Sequence, residues 1–278
     1  MSLVLFTCMV GLIVAPNNVS YLNSVLSLVA VALGAGAAGT LNMWYESDLD
    51  ALMTRTCLRP IPTGQVTKNQ ALFFGILLSI GSISLLYYSS NLMSASLLLL
   101  TICFYFFIYT VWLKRRTPQN IVIGGAAGAL PPVIGWTIAT GSLTIEPFIL
   151  FLIIFLWTPS HFWALSIYKS SDYKKAKIPM LPIIYGIEKT KKNIFIYSLL
   201  MLPTISAPYY MSFLSKIYFY PTLALTIYYI YLCGTLLKVK KSKKVNTLAR
   251  KIFLYSIFYL FVIFLLILSD HFLMRFYG

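Results

Sequence analysis

Apolar runs bounded by Pro, Gly, Asn or charge recur nine times in this sequence, at roughly 1–15, 21–43, 71–90, 92–112, 120–140, 147–168, 194–214, 217–237 and 252–270. Few folds accept such a pattern. A bilayer has a hydrocarbon core about 30 Å thick, and an α-helix rises about 1.5 Å per residue, so a run near 20 residues crosses it as a helix. With no water in that layer, the backbone must satisfy its own hydrogen bonds, which the helix does. Composition matters here because it removes the soluble alternative. Only 10% of the residues are charged and 59% are hydrophobic, whereas a soluble domain carries about 25% charged residues. The expectation is an all-α polytopic membrane protein of nine transmembrane helices, forming one domain over residues 1–278. The first run is shorter than the rest because Pro16 ends it. It has no charged flank and no small-residue cleavage site, so it reads as a short helix, or one whose natural start lies upstream, and not as a signal peptide.

Loop charge orients these helices. Twenty of the 22 Lys and Arg residues fall in the loops after runs two, four, six and eight: Arg55, Arg59 and Lys68; Lys114, Arg115 and Arg116; seven lysines from Lys169 to Lys192; and Lys238 through Lys251. Cytoplasmic loops carry such an excess, which predicts an N-in, C-out topology with the even loops cytoplasmic. No Arg/Ser-rich presequence precedes the first run, which favours a bacterial inner membrane. A positive excess could suggest nucleic acid, but in a membrane chain it marks cytoplasmic loops and contact with anionic lipid, so no nucleic-acid partner is expected. Four scattered cysteines, Cys8, Cys57, Cys103 and Cys233, give neither a zinc spacing nor a disulfide framework. The two acid-bearing loops, 44–70 and 169–193, face the same side, and each ends in a proline pair, Pro60/Pro62 and Pro179/Pro182. This suggests duplicated four-helix units with a polar site between the halves.

The chain has seven acids, and three of them, Glu46, Asp48 and Asp50, lie within five residues. At 3.6 residues per turn, positions i, i+4 and i+8 drift only about 40° per step, so Asn42, Glu46 and Asp50 share one helical face. An amide and two carboxylates suit Mg2+, which takes one or two carboxylates and fills its shell with water and substrate phosphates. The alternative is a solvated helix end, although Asn42 lies inside an apolar helix, where a polar group needs a reason. Asp48 is about 200° round from Glu46 and points elsewhere. Arg55, Arg59, Lys114, Arg115 and Arg116 follow as candidates to hold phosphate oxygens, guanidinium forks binding them bidentately, although each also serves topology; Asn120 comes next, at the start of the fifth run. The run Gly124-Gly125-Ala126-Ala127-Gly128 allows close helix packing, and with no G-x-x-x-x-G-K pattern it is no phosphate loop. His161, inside an apolar run, reads either as functional or as a neutral histidine hydrogen-bonded between helices. Asp172 reads either as a further metal ligand or as one half of a lysine pair.

Several motifs resemble one family in order. Asn42-Met-Trp-Tyr-Glu-Ser-Asp-Leu-Asp50 with Arg55-Thr56 and Arg59-Pro60-Ile61-Pro62 is similar to the first acidic motif of the UbiA-type intramembrane prenyltransferases. More narrowly, Tyr109-Thr110 through Lys114-Arg115, Asn120-Ile-Val-Ile-Gly-Gly125, Pro131-Pro132 with Gly135-Trp136, His161-Phe-Trp-Ala-Leu165, and Asp172-Tyr173 through Pro182 resemble the heme-modifying branch, the protoheme IX farnesyltransferases. The likeness runs from residue 2 to about residue 186. It implies a nine-helix bundle that takes farnesyl diphosphate and heme B, with Mg2+ and diphosphate held at Asn42, Glu46, Asp50 and Asp172. Arg55, Arg59, Lys114, Arg115, Asn120 and Lys169 would bind the diphosphate, and His161, Trp163 and Tyr109 would contact heme. The implied reaction joins the farnesyl group to a heme vinyl group with addition of water, giving heme O. Heme A synthase or terminal oxidase assembly would lie downstream.

The sequence departs from the family pattern twice. The Lys-Pro-Arg stretch usual before Met1-Ser2-Leu3-Val4 is missing, and Tyr168 stands where related enzymes carry the first acid of the second motif. Heme-modifying members share the second reduction, which favours heme over an aromatic acid as acceptor. The rival readings are a quinone-pathway polyprenyltransferase, a membrane transporter with interrupted helices and midplane charges, and an oxidase-assembly scaffold. The scaffold gives no reason for Asn42, Glu46 and Asp50 to share a face.

Overall fold

In the computed structural model residues 2–277 are described, with side chains as far as Arg275; Met1, where the first expected run begins, and Gly278 lie outside the described residues. Among the described residues all regular structure is helical. Helices cover all nine expected runs, the fifth as two, with short helices between: α1 (Ser2–Val14), α2 (Tyr21–Tyr45), the short α3 (Ser47–Leu52), α4 (Lys68–Ser89), α5 (Leu92–Cys103) continuing as a π-helical segment (Phe104–Leu113), α6 (Asn120–Ala129), α7 (Pro131–Thr140), α8 (Ile145–Tyr168), α9 (Ser170–Lys175), α10 (Leu181–Ile184), α11 (Gly186–Tyr210), α12 (Lys216–Lys238) and α13 (Ser242–Tyr277).

Seven of these segments among the described residues are long and apolar enough to cross a membrane, α6 and α7 counting as one. The other two expected spans fall short for different reasons. The 13 residues of α1 cover only about 20 Å. Helix α11 opens on Glu188, Lys189, Lys191 and Lys192 and then dilutes its apolar residues with Pro203, Pro208, Ser and Tyr. The fifth expected run breaks at Leu130 because Pro131 and Pro132 have no N–H to donate; Leu130 itself keeps helical angles (φ −75°, ψ −24°), and Pro131 starts α7. Helices α11 and α13 begin eight and ten residues before their apolar runs, since a helix continues into charged residues once it leaves lipid. On α4, Phe73, Phe74, Leu77 and Ile80 are all exposed. That face would be costly in water and suits acyl chains.

The chain forms two compact units. The first comprises Met1–Leu143 with Ser171–Pro179. Its core gathers Cys8, Leu12, Ala30, Val31, Leu41, Leu86, Leu98 and Ile134 from α1, α2, α4, α5 and α7. Helices α1 and α7 cross almost backbone to backbone. A Cβ on Gly11 would lie 2.1 Å from the Pro132 carbonyl oxygen, and one on Gly135 would lie 1.9 Å from that of Cys8. Between α2 and α4, Ser27 and Ser89 share a buried hydrogen bond of 2.8 Å, which satisfies two hydroxyls that lipid could not.

The second unit comprises Thr144–Ser170 with Met180–Gly278. Here α8 and α13 join through Trp157 Nε1, which donates to the Ser256 carbonyl at 2.8 Å. Helices α8 and α12 join through Ser160 and Tyr229 at 2.8 Å, and α12 and α13 through Thr226 and Tyr259 at 2.8 Å. Asp270 of α13 caps the start of α12, accepting from the backbone N–H groups of Ser215 and Tyr218. Lys191, fully buried on α11, donates to Glu188 and to the carbonyl of Val239 that ends α12, both at 2.7 Å.

Candidate active site

The first acidic motif sits at a break between two helices. Glu46 ends α2 and begins α3 with φ −100° and ψ 14°, yet the i to i+4 register survives: its N–H donates to the Asn42 carbonyl at 2.9 Å, and Asp50 N–H donates to the Glu46 carbonyl at 2.8 Å. Asn42, Glu46 and Asp50 are all buried, while Asp48 is exposed. The shared face expected from the spacing is therefore present, although not on one continuous helix.

A second wall comes from the π-helical segment. Lys114, just past its end, reaches Glu46 Oε2 in an ion pair. Thr110, completely buried, accepts a hydrogen bond from Asn42 Nδ2 at 3.1 Å and donates its own to the Tyr105 carbonyl at 2.9 Å. Asn42 Nδ2 also donates to Glu46 Oε2 at 2.7 Å. Tyr109, expected against heme, packs on Tyr105 and lies beside the Lys114 ammonium, 5.8 Å from its ring centroid. Gly124 makes room for that ring: a Cβ there would come within 2.2 Å of it. The close packing expected of the glycine run is seen at Gly124, while Gly128 has nothing within 4 Å.

The remaining acids have partners too. Arg59 Nη1 donates to both carboxylate oxygens of Asp50, at 3.0 and 2.8 Å. Asp172, buried in the Ser171–Pro179 segment of the same unit, accepts from Thr54 at 2.7 Å. The second motif is thus tied to the residues just after the first. Arg55 is exposed and enters no ion pair among the described residues. Beside Asp172, burial pushes the Tyr173 phenol above its ordinary range, and the charges of Arg55 and Lys114 pull against this.

The expected metal set of Asn42, Glu46, Asp50 and Asp172 is not a ready-made cage. Among the described residues no three His, Cys, Asp or Glu side chains gather closely enough to hold an ion. The donor chemistry nevertheless fits Mg2+, which needs only one or two carboxylates from the protein. Glu46 Oε1 is buried with no hydrogen-bond partner, and Asn42 spends its nitrogen on Glu46 and Thr110, leaving its oxygen for a cation.

Other expected residues lie elsewhere. Arg115 forks onto the exposed Asp48 at 2.8 and 3.0 Å instead of reaching the buried acids. Partial burial raises the Asp48 carboxyl, but the hydrogen bonds and charge of Arg115 outweigh that and hold it below the usual carboxylate range. Asn120 starts α6, donates to the Thr117 carbonyl at 2.6 Å, and buries its Oδ1 without a partner. In the second unit, Lys169 lies over the Tyr168 ring at 5.1 Å, with Arg250 at 5.8 Å from the same ring. His161 is sandwiched between Trp157 and Phe253, at centroid distances of 4.2 and 4.7 Å, and bonds Ser256 Oγ through Nδ1 at 2.6 Å. The bond to Ser256 joins α8 to α13. Trp163 is buried edge-on to Tyr197. Sequence reasoning missed Thr54, Thr110 and Ser256. Of these, Thr110 alone had a signal, since it lies within the Tyr109-Thr110 motif.

Known proteins place this arrangement. A profile of the UbiA prenyltransferase family matches residues 4–268. A protoheme IX farnesyltransferase of Pelagibacter ubique (strain HTCC1062) is 64% identical over 270 residues, 97% of this chain and 89% of that protein. Among solved structures, a digeranylgeranylglyceryl phosphate synthase has a TM-score of 0.80 at 20% identity, covering 96% of this chain and 92% of that one. A UbiA homolog from Archaeoglobus fulgidus bound to DMAPP and Mg2+ has a TM-score of 0.68 at 17% identity, covering 93% of this chain and 94% of that one. With the fold shared and the family profile running nearly end to end, this chain belongs to the UbiA prenyltransferase family.

Proposed function

We propose that this chain transfers the farnesyl group of farnesyl diphosphate to a vinyl group of heme B, with addition of water, giving heme O and diphosphate. The observation that carries the reading is the buried array in the first unit, where Glu46–Lys114, Asp50–Arg59 and Asp172–Thr54 set acids against bases and hydroxyls. Such an array binds a metal diphosphate from both sides, carboxylates and Asn42 on the cation, Lys114, Arg55 and Arg59 on phosphate oxygens. Mg2+, when bound, neutralises charge on the departing diphosphate. The protein cations stabilise the same charge in place, without reorganisation. The farnesyl C1–O bond breaks with its electron pair leaving on diphosphate, the vinyl electrons form the new C–C bond, and water adds to the carbon next to the porphyrin with loss of a proton. Apolar walls keep water from the allylic cation before that bond forms. The acceptor is inferred from the name of the 64%-identical relative. A bacterial inner membrane with these loops cytoplasmic agrees with the loop charge.

The test is direct. Membranes holding the full chain, supplied with heme B, farnesyl diphosphate and Mg2+, should yield heme O by mass, and a chelator should abolish product until Mg2+ is restored. Absence of heme O from inserted protein, or prenylation of an aromatic acid in its place, would overturn the reading.

A further inference from the structure

The Asn42 amide can coordinate a cation only through its oxygen, so whatever fixes its orientation governs the site. Two acceptors meet its nitrogen: Glu46 Oε2 at 2.7 Å and Thr110 Oγ1 at 3.1 Å. A carboxylate can only accept. A hydroxyl both donates and accepts, and would leave the amide free to present either end. Thr110 does not leave that freedom, because its hydrogen is committed to the Tyr105 carbonyl at 2.9 Å. That carbonyl lies five residues back. An α-helical threonine bonds the carbonyl three or four residues back; the five-residue reach belongs to the π-helical register of Phe104–Leu113. The π-segment therefore turns the Thr110 oxygen into a one-way acceptor, and both N–H groups of Asn42 are consumed on one side. All four residues lie in the first unit, and Asn42, Thr110 and Glu46 are buried.

We infer that Thr110 is a positioning residue for divalent metal: it and the π-register hold the Asn42 amide with its oxygen directed at the cation that Glu46 also binds. This rests on the proposed metal–diphosphate site but reaches further, since no contact between Thr110 and substrate is required. Supporting groups of this kind typically change metal affinity or activity by about 10–100-fold when removed.

Mn2+ serves as the probe, titrated by electron paramagnetic resonance into the full chain in lipid nanodiscs with farnesyl thiolodiphosphate present. Thr110→Val should weaken Mn2+ binding about 10–100-fold and raise the Mg2+ concentration for half-maximal turnover by a similar factor, with kcat at saturating Mg2+ changed far less. Thr110→Ser retains the hydroxyl and should bind Mn2+ within about threefold of the native chain. The inference is overturned if Thr110→Val binds Mn2+ as tightly as the native chain. It is also overturned if Thr110→Ser, folded by circular dichroism, loses binding as Val does, because packing and not the hydroxyl would then be what matters. Should the native chain bind no Mn2+, or Glu46→Gln leave binding untouched, the metal site itself falls and this inference with it. Native binding that depends on Glu46 but not on Thr110 removes the positioning role alone.

Discussion

Glu46, Asp48 and Asp50 sit within one short stretch yet meet three different partners: Lys114, Arg115 and Arg59. Their fates differ through burial. Asp50→Asn keeps the shape but leaves Arg59 facing a neutral group, and heme O formation should fall by about 100-fold or more with insertion intact; the assay is turnover per inserted protein. Asp48→Asn breaks only an exposed pair, whose contribution is small and screened by salt, so turnover should stay within about threefold. Because Arg115 depresses the Asp48 carboxyl, whatever that pair adds is present above the ordinary carboxylate range and is lost only as pH falls below it. It therefore contributes nothing to pH dependence near neutrality. The separation of Asp48 from its neighbours was legible from helical spacing. What was not legible was which base meets which acid, because loop arginines and lysines reach several ångströms in any direction and sequence order does not rank them. Arg115, which the family resemblance assigns to diphosphate, pairs with Asp48.

At the level of helices, apolar length located helical segments, seven of them long and apolar enough to cross a membrane among the described residues, but three features needed other information. The break at Leu130 follows from Pro131, a signal present but overridden by the uninterrupted apolar run. The charged starts of α11 and α13 lie outside the lipid-length pattern. The π-register of Phe104–Leu113 leaves no hydropathy trace, since every residue in it but Thr110 is apolar or aromatic. The crossing of α1 and α7 gives a sharp test of packing. Gly135→Ala places a methyl against the Cys8 backbone, where no flexible side chain can yield, and should destabilise by about 1–3 kcal/mol. Gly81→Ala on α4 has nothing within 4 Å and should be neutral or stabilising by about 0.5–1 kcal/mol. Thermal midpoints of both variants in one detergent compare them; equal midpoints would show that α1 does not hold this position in the folded protein.

For the whole molecule, the alternation of basic loops predicts sidedness. In a Cys57→Ser background, Ser142→Cys, in the exposed turn between α7 and α8, should react with an impermeant thiol reagent applied from outside intact cells. Ser242→Cys, at the start of α13, should react only after the cells are opened. The reverse pattern would invert the topology. Fold class was readable from composition and run length because lipid leaves helices few alternatives. The candidate site was readable only in part, because Asp172 approaches Thr54 across 118 residues and no local pattern encodes a contact of that span. That span also sets a schedule. A ribosome adding about 5–20 residues per second makes Thr54 some 6–24 s before its partner. Through that interval the first acidic motif lacks the segment that completes its unit. The unit closes only with a nine-residue return of the chain, Ser171–Pro179.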